Sequence, residues 1–316
     1  MLNSNMYFQL GGLILRLNDT LKNQAGLKFS KELGHYFINS TQPTDLCLFF
    51  HKCDSVELLN ADPIYEYKFG SLKINVYPQK LCGYIWTLSN QKNFTYLAYS
   101  IDSNWKTFSL LVDNTNSEGT CAFDYFADIF SYSVLTLGGI VFHGVVMDYQ
   151  DCGVILSAPS GTGKSTHSNK WRDLGLSTII NGDRSLCRYV NDTWTVFGMP
   201  WCGTSCISEN RQVPISAIVV LEQHSENIVK QLEPLEALTK LLPNTFAPQW
   251  EPVLYNKMLD RLNEIIPAVP IFHLRCRPDM DAVLTLKSAL DNLQREQRPE
   301  GGMYGNTGTE PCLALR

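Results

Sequence analysis

The sequence lacks any apolar run long enough to cross a bilayer. A spanning helix needs roughly 20 consecutive apolar residues, and even the stretch from Val134 to Met147 is interrupted by His143. A secretory leader is not evident either. The apolar stretch Tyr7 to Leu17 is broken by Arg16 and is followed by no small-residue cleavage site, so it reads as a core strand and the expected location is cytoplasmic, with no membrane partner. Positive charge is also scarce: 26 Lys and Arg against 31 Asp and Glu give a formal charge of -5. That argues against a nucleic acid as principal partner, because phosphate backbones are held by clustered basic side chains. The ten cysteines do not group as metal ligands. Their closest spacings, Cys47 with Cys53 and Cys202 with Cys206, have neither a nearby histidine pair nor a second C-x-x-C, so they read as reduced thiols. No internal repeat is visible.

What is present suits a globular protein of two domains: 316 residues, 44% hydrophobic and 18% charged. Residues 1–132 are rich in Tyr, Phe and Trp, in short runs such as Leu72 to Tyr77, Gly83 to Leu88 and Phe108 to Val112, bounded by Asn, Ser, Asp and Gly. This is the punctuation of strands and turns, and it predicts a β-rich α+β N-terminal domain. From Ser133 the pattern changes to apolar strands alternating with helical stretches over residues 133–297. Val134 to Val146 and Gly153 to Ala158 read as strands, Thr166 to Leu174 as a helix, and Asp279 to Gln297 as a closing helix. Residues 298–316, glycine-rich and poor in apolar side chains, read as a flexible tail.

The most informative stretch is Gly153-Val-Ile-Leu-Ser-Ala158 followed by Pro159-Ser-Gly-Thr-Gly-Lys-Ser-Thr166. A buried strand, a glycine-rich turn and a helix, in that order, make a phosphate loop. Backbone N–H groups turn inward toward phosphate oxygens, and the helix N-terminus adds partial positive charge. Ser160, Gly161, Thr162, Gly163, Lys164, Ser165 and Thr166 would cradle the phosphates of ATP, with Lys164 reaching the β and γ groups and the Ser165 hydroxyl on Mg²⁺. Alanine at 158 stands where the pattern has its first glycine. The rival structural reading is a glycine-rich turn with an incidental lysine.

Two further strand ends bring polar groups to the same edge: Val141-Phe-His-Gly-Val-Val-Met-Asp148 before the loop and Ile179-Ile-Asn-Gly-Asp-Arg184 after it. Ligands of open α/β sheets collect at carboxyl strand ends, so His143, Lys164, Ser165 and Asp183 could converge. With the H-G-V-x-x-D run at His143, the S-G-T-G-K-S loop at Ser160 and the acid at Asp183, the stretch from about Leu137 to Leu290 resembles the HPr kinase/phosphorylase family. That family is related to the phosphoenolpyruvate carboxykinases. The chain is also similar to smaller HPr-kinase-like proteins of bacterial peptide-modification clusters, through Gly198-Met-Pro-Trp201 and Pro214-Ile-Ser-Ala-Ile-Val-Val-Leu-Glu222.

The resemblance implies an α/β P-loop nucleotide-binding domain of HPr kinase/PEP carboxykinase type. It further implies ATP- and Mg²⁺-dependent transfer to a serine-type hydroxyl, His143 beside the transferred phosphate, and Asp183 as base or metal ligand. It permits a homo-oligomer. Gly182 stands where the family pairs a second acid, and Phe197 precedes Gly198 where arginine would open an R-G-L-G run. Those departures point away from HPr as the acceptor and leave a peptide, a protein or a small-molecule hydroxyl. Arg184, Arg211, Arg275 and Arg277 are candidates to stabilise transferred charge. Two other readings stay open. A conventional NTPase would use Glu222, at the end of an apolar strand, as its Walker-B acid, and a non-catalytic sensor would bind ATP without transfer.

Overall fold

A computed structural model describes residues 5–18, 24–40, 42–51, 62–79, 83–114 and 122–296. The fold is mixed α/β with two large sheets, and the chain divides into two compact units. One is Met1–Leu137 with Ala247–Lys257; the other is Gly138–Phe246 with Met258–Arg316.

Among the described residues the first unit carries a nine-stranded sheet. Its elements are β1 (Asn5–Leu10), β2 (Leu13–Asn18), α1 (Gln24–Glu32), β3 (Phe37–Ile38), β4 (Leu46–Phe50), β5 (Tyr65–Phe69), β6 (Leu72–Pro78), β7 (Gly83–Asn90), β8 (Thr95–Asp102), β9 (Thr107–Asp113) and α2 (Ala122–Ser133). The order across the sheet is β3-β1-β2-β4-β9-β8-β7-β6-β5. Strands β5 to β9 form an antiparallel meander, while β2–β4 and β4–β9 pair in parallel. Alternation in β9 sends Phe108, Leu110 and Val112 inward. The helical period of α2 places Phe123, Phe126, Ile129 and Phe130 on its buried face. Phe29 of α1 meets Phe50, Phe123 and Phe126 edge-on at 5.2–5.7 Å.

Four sequence expectations change here. The apolar stretch Tyr7 to Leu17 is two strands, because the chain turns at Gly11–Gly12 and pairs β1 with β2. Val134–Leu137 is a 3-10 turn that continues α2 and buries Val134 and Leu135, so the strand starts only at Gly139. The division at 132/133 moves accordingly to 137/138. Residues 247–257 leave the expected 133–297 domain for the first unit, because Trp250 packs on Tyr65, Tyr84 and Trp105. The expected tail, 298–316, lies outside the described residues.

The second unit contains β10 (Gly139–Tyr149), β11 (Cys152–Ser157), α3 (Lys164–Asp173), β12 (Thr178–Asn181), β13 (Arg184–Val190), β14 (Thr193–Phe197), β15 (Gln212–Gln223), β16 (Ile228–Gln231), α4 (Pro234–Leu241), α5 (Pro252–Ala268, from Met258 onward), β17 (Ile271–Cys276) and α6 (Met280–Glu296). Strand β11 pairs with β15 in parallel and β15 with β17 in parallel, with β10 antiparallel to β11. The long strands β10 and β15 each run through two regions of pairing. The first half of β10 meets β13 and its second half meets β11 and β12; β15 meets β14 and then β11 and β17.

One face of this sheet is sealed by α3 and α6 over Val145, Met147, Val154, Leu156, Val219 and Leu274. Trp171 of α3 and Ala282, Val283, Leu286 and Leu290 of α6 fill the layer. Burying Trp171 alone, at 0% exposure, contributes about 2–3 kcal/mol. The edge of that layer is polar but paired. The Tyr149 hydroxyl donates to Asp291 at 2.5 Å, Lys287 bridges the same carboxylate at 2.6 Å, and the Tyr149 ring meets Trp171 edge-on at 5.1 Å. In turn, Trp171 Nε1 donates to His167 Nε2 at 3.1 Å. Helix α3 is therefore pinned along its length.

Candidate active site

Strand register explains why residues distant in sequence meet. Gly144 of β10 lies opposite Ser157, the last residue of β11. On the other edge of β10, β12 and β13 follow one another along the same neighbour: Asn181 pairs Val146 and Arg184 pairs His143. The kink between them, Gly182–Asp183, therefore sits opposite Gly144, and Gly144 N donates to the Asp183 carbonyl at 2.8 Å. The loop after β11, the middle of β10 and the kink after β12 share one edge of the sheet.

The loop itself is built by its two glycines. Gly161 and Gly163 adopt φ of 79° and 109°, values that L side chains rarely take. A Cβ at either would meet nothing within 4 Å, so backbone conformation, not crowding, requires glycine there. Ala158 keeps φ negative, and alanine suffices where the pattern has glycine. The loop carbonyls are drawn aside. Lys164 Nζ donates to Ala158 O at 2.7 Å and Pro159 O at 3.2 Å, and Thr162 Oγ1 to Pro159 O at 2.9 Å. Gln223 Nε2 donates to Gly161 O and Thr162 O at 3.4 and 3.3 Å.

Helix α3 begins directly at Lys164, with Gly163 as an N-cap that supplies no side-chain hydrogen bond and no acid in the first turn. Its leading N–H groups are thus left for an anion. Ser160, Gly161, Ser165 and Thr166 are exposed beside them, and Thr162 is half-buried. Lys164 is buried, which lowers its pKa from the usual lysine range, while the nearby Asp183 carboxylate opposes that shift.

Asp183 and His143 face one another with Oδ1 and Nδ1 3.9 Å apart, beyond hydrogen-bond reach. Burial pushes the His143 pKa down, as do the Lys164 ammonium and Arg184, against the pull of Asp183. The balance favours the neutral imidazole. Arg184 lies alongside, its Nε 3.8 Å from Asp183 Oδ2 and its guanidinium 4.2 Å over the Phe246 ring. Phe246 is fixed by its own N–H, which donates to Val141 O at 2.9 Å.

The sequence reading missed the residue that holds the kink. Asn181 is fully buried: its Nδ2 donates to Met199 O at 2.6 Å and Trp201 O at 3.2 Å, and its Oδ1 accepts from the Asp183 and Arg184 N–H groups at 2.9 and 2.8 Å. An Asn two residues before an acid at a strand end is the one available signal, since an Asx turn has that spacing. Gly182, where a second acid could stand, faces the 203–205 turn. A Cβ there would lie 1.7 Å from Ser205 Oγ, so no side chain fits.

Other candidates lie elsewhere. Arg211 is bound to Asp148 and reaches Thr178, at the start of β12 and away from Asp183. Arg277 pairs with Asp279 and Asp281 at the start of α6, and Arg275 pairs across β17 with Glu222 in the sheet register. Glu222 itself is engaged by Lys240 at 2.9 Å and His273 at 3.0 Å, while its neighbour Gln223 is the β15 residue that touches the loop. Among the described residues no group of three or more His, Cys, Asp or Glu side chains could hold a metal ion. Among the described residues neither Cys202 nor Cys206 is in a disulfide, and Cys53 lies outside them. No described helix is long and apolar enough to cross a membrane.

No family model matches the chain, and no curated protein matches it. Among solved structures, the HPr(Ser) kinase/phosphatase from Coxiella burnetii aligns at 11% sequence identity and a TM-score of 0.31, over 49% of this chain and 91% of that one. A likeness that distant carries no argument about this protein.

Proposed function

We propose that the second unit is an ATP-dependent phosphotransferase that passes the γ-phosphoryl group to a serine-type hydroxyl on a peptide, protein or small molecule. The observation that carries this reading is the placement of Lys164 at the head of the uncapped helix α3, on the same sheet edge as Asp183 and His143. A cradle of N–H groups whose carbonyls are tied back, with a buried ammonium inside it, fits a polyphosphate. A divalent ion, when bound, would neutralise charge on the transferring oxygens. Ser165 and Asp183 are the residues suited to hold it, the remaining ligands being phosphate and water oxygens, as Mg²⁺ prefers.

The chain's own groups then divide the work. Lys164 leaves its two carbonyl partners to meet the β and γ phosphates. The 3.9 Å between His143 and Asp183 leaves a hydroxyl able to hydrogen-bond to either, with Asp183 taking its proton and neutral His143 orienting it. Arg184, flattened against Phe246, is the arginine suited to the charge that develops in transfer.

The test is incubation of the purified chain with γ-labelled ATP, Mg²⁺ and a peptide library, beside Lys164→Ala and Asp183→Asn. Label in a serine-containing acceptor, lost in both variants, is the expected result. ATP binding with release of free phosphate only, or with no turnover, would replace the kinase by an NTPase or a sensor.

A further inference from the structure

The first unit contains a cavity of 420 Å³ with no part in the reading above. All its lining residues belong to that unit: Tyr84, Ser103, Asn104, Trp105, Thr136, Val253 and Leu254, with Glu251 and Lys257 as its charged groups. The volume falls within the roughly 300–1,000 Å³ typical of small-molecule sites.

The aromatic wall is rigid. Trp105 is 3% exposed and contacts Tyr84, Tyr132 and Trp250 at ring separations of 5.9, 6.1 and 5.7 Å, and Trp250 meets Tyr84 edge-on at 4.8 Å. Trp105 also holds φ at 57°, an unfavourable conformation for a bulky side chain. The Tyr84 hydroxyl donates to Glu251 Oε2, and Glu251 Oε1 accepts from the Val253 N–H at 3.2 Å, so the carboxylate is aimed by two donors. Burial, with Glu251 beside it, raises the Tyr84 pKa to about 12, which keeps the phenol a donor. Among the described residues neither Glu251 nor Lys257 forms an ion pair, although both line the same space.

We propose that this cavity binds a free α-amino acid with an apolar side chain. Its ammonium lies against Glu251 and Tyr84, in front of the buried Trp105, its carboxylate against Lys257, and its side chain toward Val253. An aromatic ring beside a carboxylate attracts a cation twice over, and the one lysine of the lining selects the opposite charge on the same ligand. Ser103, Asn104 and Thr136 supply neutral hydrogen-bonding groups for what remains. A ligand carrying only one of the two charges leaves the other protein charge without its partner.

Calorimetric titration of the full chain with L-leucine and L-phenylalanine tests the idea, beside L-leucinamide and N-acetyl-L-leucine, which each lack one charge. Saturable one-to-one binding of the free amino acids is expected, weakened roughly tenfold or more by either block. Glu251→Gln and Lys257→Met should each weaken it similarly, with Tyr84→Phe intermediate, and thermal melts of all variants report that they fold. Three outcomes overturn the proposal: no saturable binding of either amino acid at millimolar concentration, blocked ligands that bind as well as free ones, or folded variants that bind as tightly as the native chain. Because the readout uses no ATP, it stands or falls apart from the kinase reading.

Discussion

Acid should loosen the second unit through the buried His167, whose pKa is the furthest depressed of its histidines. His167 is 3% exposed on α3, and its Nε2 accepts the Trp171 indole N–H at 3.1 Å, so that nitrogen must carry no proton. Burial, helped by Lys170, pushes its pKa down to about 4 from an ordinary 6.5. The unfolded chain therefore takes up the proton first. The stabilisation is fully present above pH 6.5, and it is lost as pH falls from there toward 4. The whole shift corresponds to about 3 kcal/mol, of which about 2 kcal/mol is lost between pH 7 and pH 5. Urea unfolding at those two pH values measures the change. Carboxylates titrate in the same range, so the quantity that matters is the difference from His167→Gln, whose amide oxygen can accept the same indole N–H without titrating. The variant should lose about 2 kcal/mol less than the native protein on acidification. Equal losses in the two proteins would refute the argument, and would mean that His167 is protonated or solvated in the folded state. The consequence for function is direct, because α3 carries Lys164 at its first residue.

Three other perturbations address the site. Asn181→Ala removes four hydrogen bonds and leaves buried backbone groups at both ends of the kink unpaired, so a loss of about 3 kcal/mol or more is expected in thermal or urea melts. Gly182→Ala drives a methyl into Ser205; ATP affinity should persist while phosphoryl transfer falls by about a hundredfold, and Ser205→Gly in the same chain should restore part of it. Phe246→Leu removes the ring under Arg184, a contact of about 1 kcal/mol. It should lower kcat roughly fivefold with KM for ATP unchanged, whereas Phe246→Trp should keep the rate.

Short-range chemistry sets the local pieces of this protein. A β-branched apolar run and glycines that alone accept positive φ are short-range facts, so the strand and the loop after it could be read directly, although α3 starts at Lys164, two residues before the expected Thr166. The alternating aromatic runs likewise marked β6, β7 and β9. Tertiary structure decided what those pieces meet. Asp183 faces His143 because β12 and β13 share one edge of β10, a register that no window of sequence contains. Asn181 matters through carbonyls 18 and 20 residues away. Pairing of this kind also set Arg184 beside Asp183 and Glu222 beside Lys240 and His273. It sent residues 247–257 to the first unit, where Trp250 and Glu251 find partners more than a hundred residues earlier in the chain. Propensity acts along the chain, whereas burial and hydrogen-bond satisfaction act across it, and the arrangement of the site belongs to the second.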